Sequence, residues 1–211
     1  FAGQQETFLN VKGVNEVLKA TLKCWSSLFT PRAIFYRTEK GFAHERVFIS
    51  VGVQKMVNSR AAGVMFTINP VTGESSQIVI EGNFGLGEAV VSGAVNPDDF
   101  VLDKKTLNVM ERRLAKKLIQ YVRDPNTGAT VHTEVPIEMQ EQPCISDEEI
   151  LKLGEFAKRI EQHYGKPQDI EWAIDRDIPF PNSVFIVQSR PETVWTQKLV
   201  ETPAKGETEK A

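Results

Sequence analysis

The sequence predicts an α+β fold, a mixed and largely antiparallel sheet with flanking helices. Three observations carry this prediction. Runs rich in β-branched residues outnumber helical stretches, and several neighbouring runs are joined by turns too short for a helical crossover. The clearest helix, 146–165, carries cap residues at both ends. A chain of 211 residues suffices for one large domain or two small lobes.

Taken in order, residues 14–29 place Val14, Val17, Leu18, Leu22, Trp25, Leu28 and Phe29 at helical spacing, which predicts an amphipathic helix. A second helix opens at Thr30, with Pro31 at its first position. The β-branched run RVFISVGVQKMV (46–57) predicts a strand, AAGVMFTINP (61–70) another, and SQIVIEGNF (76–84) a third. The intervening NPVTGES supplies Pro and Gly for a turn. The stretch from Gly85 to Lys117 reads as a short helix followed by two strands that turn near DKKT (103–106), and His132 alternates with Thr130 and Glu134 in a polar strand. In 146–165, Ser146 is the cap, Glu149 completes a capping box and Gly165 closes the far end.

The last ordered element is a hairpin over 169–190. Alternation places Asp169, Glu171 and Ala173 on one face of its first strand and Ile170, Trp172 and Ile174 on the other. The second strand aligns Val184, Ile186, Gln188 and Arg190. A turn around 176–183 is expected to pair Asp175 with Val184, Glu171 with Gln188 and Asp169 with Arg190. One reading of these polar residues is a cross-strand ion pair with a hydrogen bond at a sheet surface. The other is a metal site: Mg²⁺ takes oxygen ligands, which Glu171 and the Gln188 amide can supply, while Arg190 can stabilise a transferring phosphoryl group. A glycosidase pair is disfavoured, because carboxylates two apart on one strand point the same way instead of facing each other across a sugar.

The remaining chemistry is excluded or left open by composition. A net charge of −3 gives no global field to recruit nucleic acid or an anionic membrane, and the basic cluster 111–117 reads as a solvated face. No apolar run is long enough to span a bilayer. Cys24 and Cys144 stand apart, which suits a reducing cytoplasm, and His44, His132 and His163 lack metal-ligand spacing and any nucleophile context. The Gly-rich EGNFGLGEAVVSG (81–93) fails the dinucleotide fingerprint, since position 90 is Val, and the chain has no phosphate loop of the GxxxxGK[ST] kind. That stretch reads equally as a tight turn or as a ligand-contacting loop. Glu88 reads as a helix-start acid first, and as a metal or ribose contact second.

Five ordered motifs, FAGQQETFLNVKG, AAGVMFTINPVTGE, GLGEAVVSG, NPDDFVLDK and DIEWAI…FIVQSRPETVW, resemble the phosphoenolpyruvate synthase / pyruvate phosphate dikinase family in its amino-terminal ATP-binding domain, of ATP-grasp type. The resemblance covers roughly 1–196. It implies a two-lobe clamp whose first lobe is incomplete in this chain: 1–57 as the end of the first lobe and the hinge, 58–196 as the second lobe, and 197–211 as a linker or tail. By the same resemblance Gln54, Lys55, Met56 and Val57 line the adenine pocket, and Glu88 and Asp169 contact nucleotide. Glu171 and Gln188 hold Mg²⁺, and Arg190 serves the transferred phosphoryl. The implied reaction passes phosphoryl from Mg²⁺-ATP to a swivelling phosphohistidine domain, in the same or a partner chain, and then to pyruvate in the cytoplasm. A relative with another acceptor, rifampin or a phenol, and a separately encoded nucleotide-binding subunit are the alternatives. The family's phosphate-gripping lysine and arginine segment are expected before Phe1, so the isolated chain is expected to turn over poorly.

Overall fold

The computed structural model describes residues 6–195. The chain divides into two compact units, Phe1–Met56 with Arg123–Val131, and Val57–Val122 with His132–Ala211.

In the first unit, α1 (Val14–Ser26) runs into a 3₁₀ turn at Ser27–Phe29, and α2 (Pro31–Glu39) follows at once. Thr30 caps α2 as expected: its hydroxyl accepts the Ala33 N–H at 3.3 Å and Pro31 fills the first position. The apolar stripe of α1 is present but uncovered among the described residues, with Val14, Leu18, Leu22 and Trp25 all exposed. The strand expected at 46–57 is not one. Residues 44–46 form a 3₁₀ turn and 47–58 join no ladder among the described residues. β-Branched composition favours a strand only where a neighbour supplies ladder hydrogen bonds and apolar cover; here Phe48 and Val53 stay largely exposed.

The second unit is built on a six-stranded sheet in the order β4-β3-β2-β1-β7-β8. Its strands are β1 (Ser59–Phe66), β2 (Gln77–Phe84), β3 (Asp98–Asp103), β4 (Val109–Arg113), β7 (Gln168–Asp175) and β8 (Val184–Pro191), and every neighbouring pair is antiparallel. The first of these ends at Phe66, short of the expected 70, because Thr67–Thr72 turn the chain: the Asn69 carboxamide oxygen accepts the N–H groups of Val71 and Thr72. A separate two-stranded sheet, β5 (Ile119–Arg123) with β6 (Thr130–Glu134), was legible only in its second half. Between β2 and β3 lies the one-turn helix α3 (Glu88–Val91).

One face of the large sheet is covered by α4 (Asp147–Tyr164), whose ends are built as the sequence expects. Ser146 Oγ accepts the Glu149 N–H, the Glu149 carboxylate accepts the Ser146 N–H, and Gly165 closes the helix at φ 66°. Ile150, Leu153 and Ala157 of this helix pack with Met65, Ile80, Phe100, Leu102, Ile170 and Trp172. Trp172 is the largest fully buried side chain. Its indole lies over Gly82, where a Cβ would meet the ring at 2.8 Å, and its Nε1 donates to the Val64 carbonyl at 3.0 Å. A glycine is therefore required opposite this tryptophan.

The hairpin register departs from the expected one in a single step. Asp169 pairs with Arg190 and Glu171 with Gln188, as expected, but Val184 faces Ile174 and not Asp175. The ladder moves from Glu171↔Gln188 to Trp172↔Ile186, so Val187 is the extra residue of a β-bulge. Beyond a bulge the alternation reverses. Val184 and Ile186 join the core with Ile174 and Trp172, while Gln188 and Arg190 stay on the opposite face with Glu171 and Asp169. Strict alternation would have left two apolar side chains on the polar face, and their burial favours the bulge.

Truncating Trp172 to Ala removes the indole and its hydrogen bond together, and is expected to cost about 3–5 kcal/mol in urea unfolding. Gly82→Ala should cost about 1–3 kcal/mol by overpacking against the same ring. Unfolding free energies within experimental error of the parent for both variants would contradict this packing.

Candidate functional site

The face of the large sheet turned away from α4 carries a row of polar side chains fixed by strand register. Reading across the strands, Arg113 pairs with Asp99, Asp99 with Glu81, Glu81 with Val64, Val64 with Glu171, and Glu171 with Gln188. Asp169 and Arg190 stand two residues along on the same face. Arg190 holds Asp169 through Nε at 2.8 Å and Nη2 at 2.7 Å, both to one carboxylate oxygen. The Gln188 amide Nε2 donates to Glu171 at 3.3 Å. Both ladder contacts expected from sequence are thus made, and four of the candidate residues, Asp169, Glu171, Gln188 and Arg190, come together.

Electrostatics single out this face. Burial raises the Glu171 carboxyl above its usual range, the Asp169 charge adds to the rise, and Arg190 opposes it. Glu81 is raised by burial first and by the charges of Asp99 and Asp169 second. Asp99 is raised by burial, against the pull of Arg113; Arg113 lies 3.8 Å from it and is held more closely by Glu111. Glu81 and Asp99 were missed in the sequence. The signal that could have found them is Glu81 breaking the apolar run QIVIEGNF, and the alternation of Asp98 and Asp99 to opposite faces of β3.

Asp98 shows what the other face does with a carboxylate. It is fully buried, and it accepts from Lys117 Nζ at 2.7 Å, from the Ala115 N–H at 3.0 Å and from the Cys144 N–H at 2.8 Å. Lys117 in turn donates to the Ala115 carbonyl and lies over the Phe84 ring. This pair is a satisfied structural ion pair in the core.

The first part of the Gly-rich loop is tied into the fold. Gly85 has φ 81°, and a Cβ there would meet the Tyr121 carbonyl oxygen at 2.2 Å. Its N–H donates to the Arg60 carbonyl and the Leu86 N–H to that of Tyr121, so both amides are used within the protein. Ser59 Oγ donates to the Gly85 carbonyl from below. Glu88 stands exposed in the first turn of α3, packed near β1 and β2, with no bond to the polar row. Gln54, Lys55 and Met56 are exposed residues of the other compact unit, and Val57 is half-buried where the second unit begins. Asn58 anchors that point: its N–H donates to Asp175 and its amide to Asp177.

The donor set on the polar row suits a hard divalent cation. Glu171 is a carboxylate held at a cost in repulsion, and the Gln188 amide oxygen beside it has no protein donor among the described residues. Among the described residues no group of three or more His, Cys, Asp or Glu side chains is placed to hold a metal alone. Mg²⁺ takes one or two protein oxygens together with substrate phosphates, and the Glu171 and Gln188 side chains stand side by side here. No helix of the described residues is long and apolar enough to cross a membrane.

Deprotonating a carboxyl whose pKa is raised costs the fold stability. Where the folded state holds the proton more readily than the unfolded chain, stability falls as pH rises through the raised pKa and is recovered below the ordinary carboxylate range. Glu81→Gln should therefore be more stable than the parent at pH 7, with the advantage vanishing below about pH 4. A pH-independent difference in thermal midpoint would contradict the charge crowding on this face.

Residues 1–211 match the family described as pyruvate phosphate dikinase, AMP/ATP-binding domain. A probable phosphoenolpyruvate synthase of Staphylothermus marinus is 46 % identical over 99 % of the chain, and one of Archaeoglobus fulgidus is 53 % identical over 92 %. The phosphoenolpyruvate synthase of Pyrococcus furiosus is 46 % identical over 97 %. The chain spans 25–27 % of the length of these three relatives.

Proposed function

The chain belongs to the pyruvate phosphate dikinase AMP/ATP-binding domain family, and from that premise we propose that it is the ATP-binding part of a phosphoenolpyruvate synthase-like phosphotransferase. Membership supports ATP binding in general terms. The finer reading is an ATP-grasp domain in which 1–57 contribute the end of one lobe and the hinge, 58–196 the second lobe and 197–211 a linker; the last lie outside the described residues. The whole protein would use Mg²⁺-ATP to phosphorylate a histidine on a swivelling domain, in the same or a partner chain, and then pyruvate. A cytoplasmic location is part of the same reading.

The observation that carries it is the convergence of Asp169, Glu171, Gln188 and Arg190 on one face of β7 and β8. In this reading Glu171 and the Gln188 amide oxygen hold Mg²⁺, which when bound neutralises charge across the phosphates. Arg190, with two of its donors on Asp169, is pre-oriented and keeps further N–H groups for a phosphoryl oxygen. Asp169 orients that guanidinium at the nucleotide site. Gln54, Lys55, Met56 and Val57 would contact adenine, and Glu88 the nucleotide. Phosphoryl transfer depends mostly on positioning and electrostatics, so a rigid two-strand support is the useful property.

The chain's own histidines make contacts apart from the polar row, and in this reading the acceptor lies on another domain. His44 Nδ1 accepts from the buried Arg37 at 3.0 Å, His132 stacks on Tyr121 with centroids 3.7 Å apart, and His163 meets Tyr164 edge-on in the last turn of α4.

In the full-length protein, Glu171→Ala and Gln188→Ala should each reduce ATP-dependent self-phosphorylation by about a hundredfold or more, with unfolding midpoints near the parent's. Acid-labile label from ATP should appear outside the present 211 residues. Near-normal labelling of either variant at limiting Mg²⁺ would remove the metal assignment; stoichiometric label on His44, His132 or His163 would remove the division of labour.

A further inference from the structure

The first compact unit holds a cavity that the nucleotide reading does not use. It has a volume of about 640 Å³, opens to solvent, and lies between the segment around Phe8–Lys12, one face of α1 and the turn after β5. Its lining brings together Lys12, Lys19, Lys23 and Arg123, with Glu16 as its one carboxylate. Glu16 is engaged by Lys19 at 2.6 Å. Lys12, Lys23 and Arg123 have no carboxylate partner among the described residues. This excess of positive charge sits on a chain whose net charge is −3.

The walls are constructed, and more is involved than a run of lysines on a solvated helix. Asn10 adopts φ 57°, the left-handed region that asparagine enters more readily than most residues with a side chain. Its amide donates to Thr130 Oγ1 at 2.7 Å, tying residues from opposite ends of the unit's sequence into one rim. The turn after β5 is closed independently, because Asp124 accepts the N–H groups of Asn126 and Thr127, so its carboxylate is spent on the turn. Arg123 then lies along the turn: a Cβ at Gly128 would sit 3.5 Å from its guanidinium. Lys23 is placed over the Phe8 ring at 5.7 Å. A cavity of this size is in the range of small-ligand sites, and four of its lining side chains, Lys12, Lys19, Lys23 and Arg123, are cationic donors.

We propose that this cavity binds a small, multiply charged organic phosphate, with Arg123 as the forked donor and Lys12 and Lys23 as point charges around it. Three unpaired cations at separate points on the rim match a ligand with more than one anionic group better than a single carboxylate. The site is independent of the polar row on the large sheet and does not require that row to bind ATP.

The test is calorimetric titration of the chain with sodium tripolyphosphate in metal-free buffer near about 0.15 M salt, where loosely held surface charge is largely screened. Citrate is titrated in parallel. One-to-one binding is expected, weakened about tenfold or more in Lys23→Ala/Arg123→Ala and unchanged in Arg32→Ala, which removes an exposed charge of α2 outside the cavity lining. Both variants alter exposed side chains, and their thermal melts verify the fold. No binding by the parent, or equal binding by the double variant, overturns the site. Loss of binding in Arg32→Ala alone assigns the anion to a surface outside the cavity and also overturns it. Citrate binding more tightly than tripolyphosphate overturns the phosphate class.

Discussion

The bulge at Val187 is the constraint on which the polar face of the sheet depends. One extra residue in β8 lets a single strand serve two masters. Its first half sends Val184 and Ile186 into the core, and its second half sends Gln188 and Arg190 to the other face. Without the extra residue, alternation would have to choose. Either the apolar pair would lie exposed among carboxylates, or the amide and guanidinium would be buried under α4. The partner strand needs no such device, because Asp169, Ile170, Glu171 and Trp172 already alternate strictly between the faces.

Trp172 gives this arrangement its rigidity. Buried over Gly82 and hydrogen-bonded to the Val64 carbonyl, it fixes β7 against β1 and β2 one residue away from Glu171. The carboxylate is thereby held in a half-buried position beside Asp169, where its charge is unwelcome in the absence of a cation. Packing energy on one face of the sheet thus offsets electrostatic repulsion on the other. Such crowding of charge is a familiar cost at sites that receive a charged ligand.

Much of this could be read from the sequence, for identifiable reasons. The capping box at Ser146, the Thr30–Pro31 helix start and the Gly165 stop are local signals, and local signals survive any tertiary context. The pairings Asp169↔Arg190 and Glu171↔Gln188 follow from the same expected register as Asp175–Val184, and they hold because the bulge lies between them and the turn and absorbs the one-residue difference there. The Asp175–Val184 pairing failed because a bulge has no signature in composition and is selected by burial. The 46–57 strand failed for a related reason: propensity describes what a segment can do, and pairing depends on neighbours. Glu81 and Asp99 became visible only when the order β3-β2-β1-β7 brought distant strands side by side. The turn role of Gly85 became visible only when Arg60 and Tyr121 were seen to accept the Gly85 and Leu86 amides.

The central claim is that Glu171 and Gln188 mark the place where a divalent cation meets the nucleotide. Paramagnetic broadening of backbone amide signals by Mn²⁺, recorded for the chain with ATP present, locates that cation without altering any residue. The account predicts that signals of Glu171 and Gln188 are lost first, followed by those of Asp169, Arg190 and Glu81, while those of α4 persist. Broadening centred on any other part of the chain, with Glu171 and Gln188 unaffected, would contradict it.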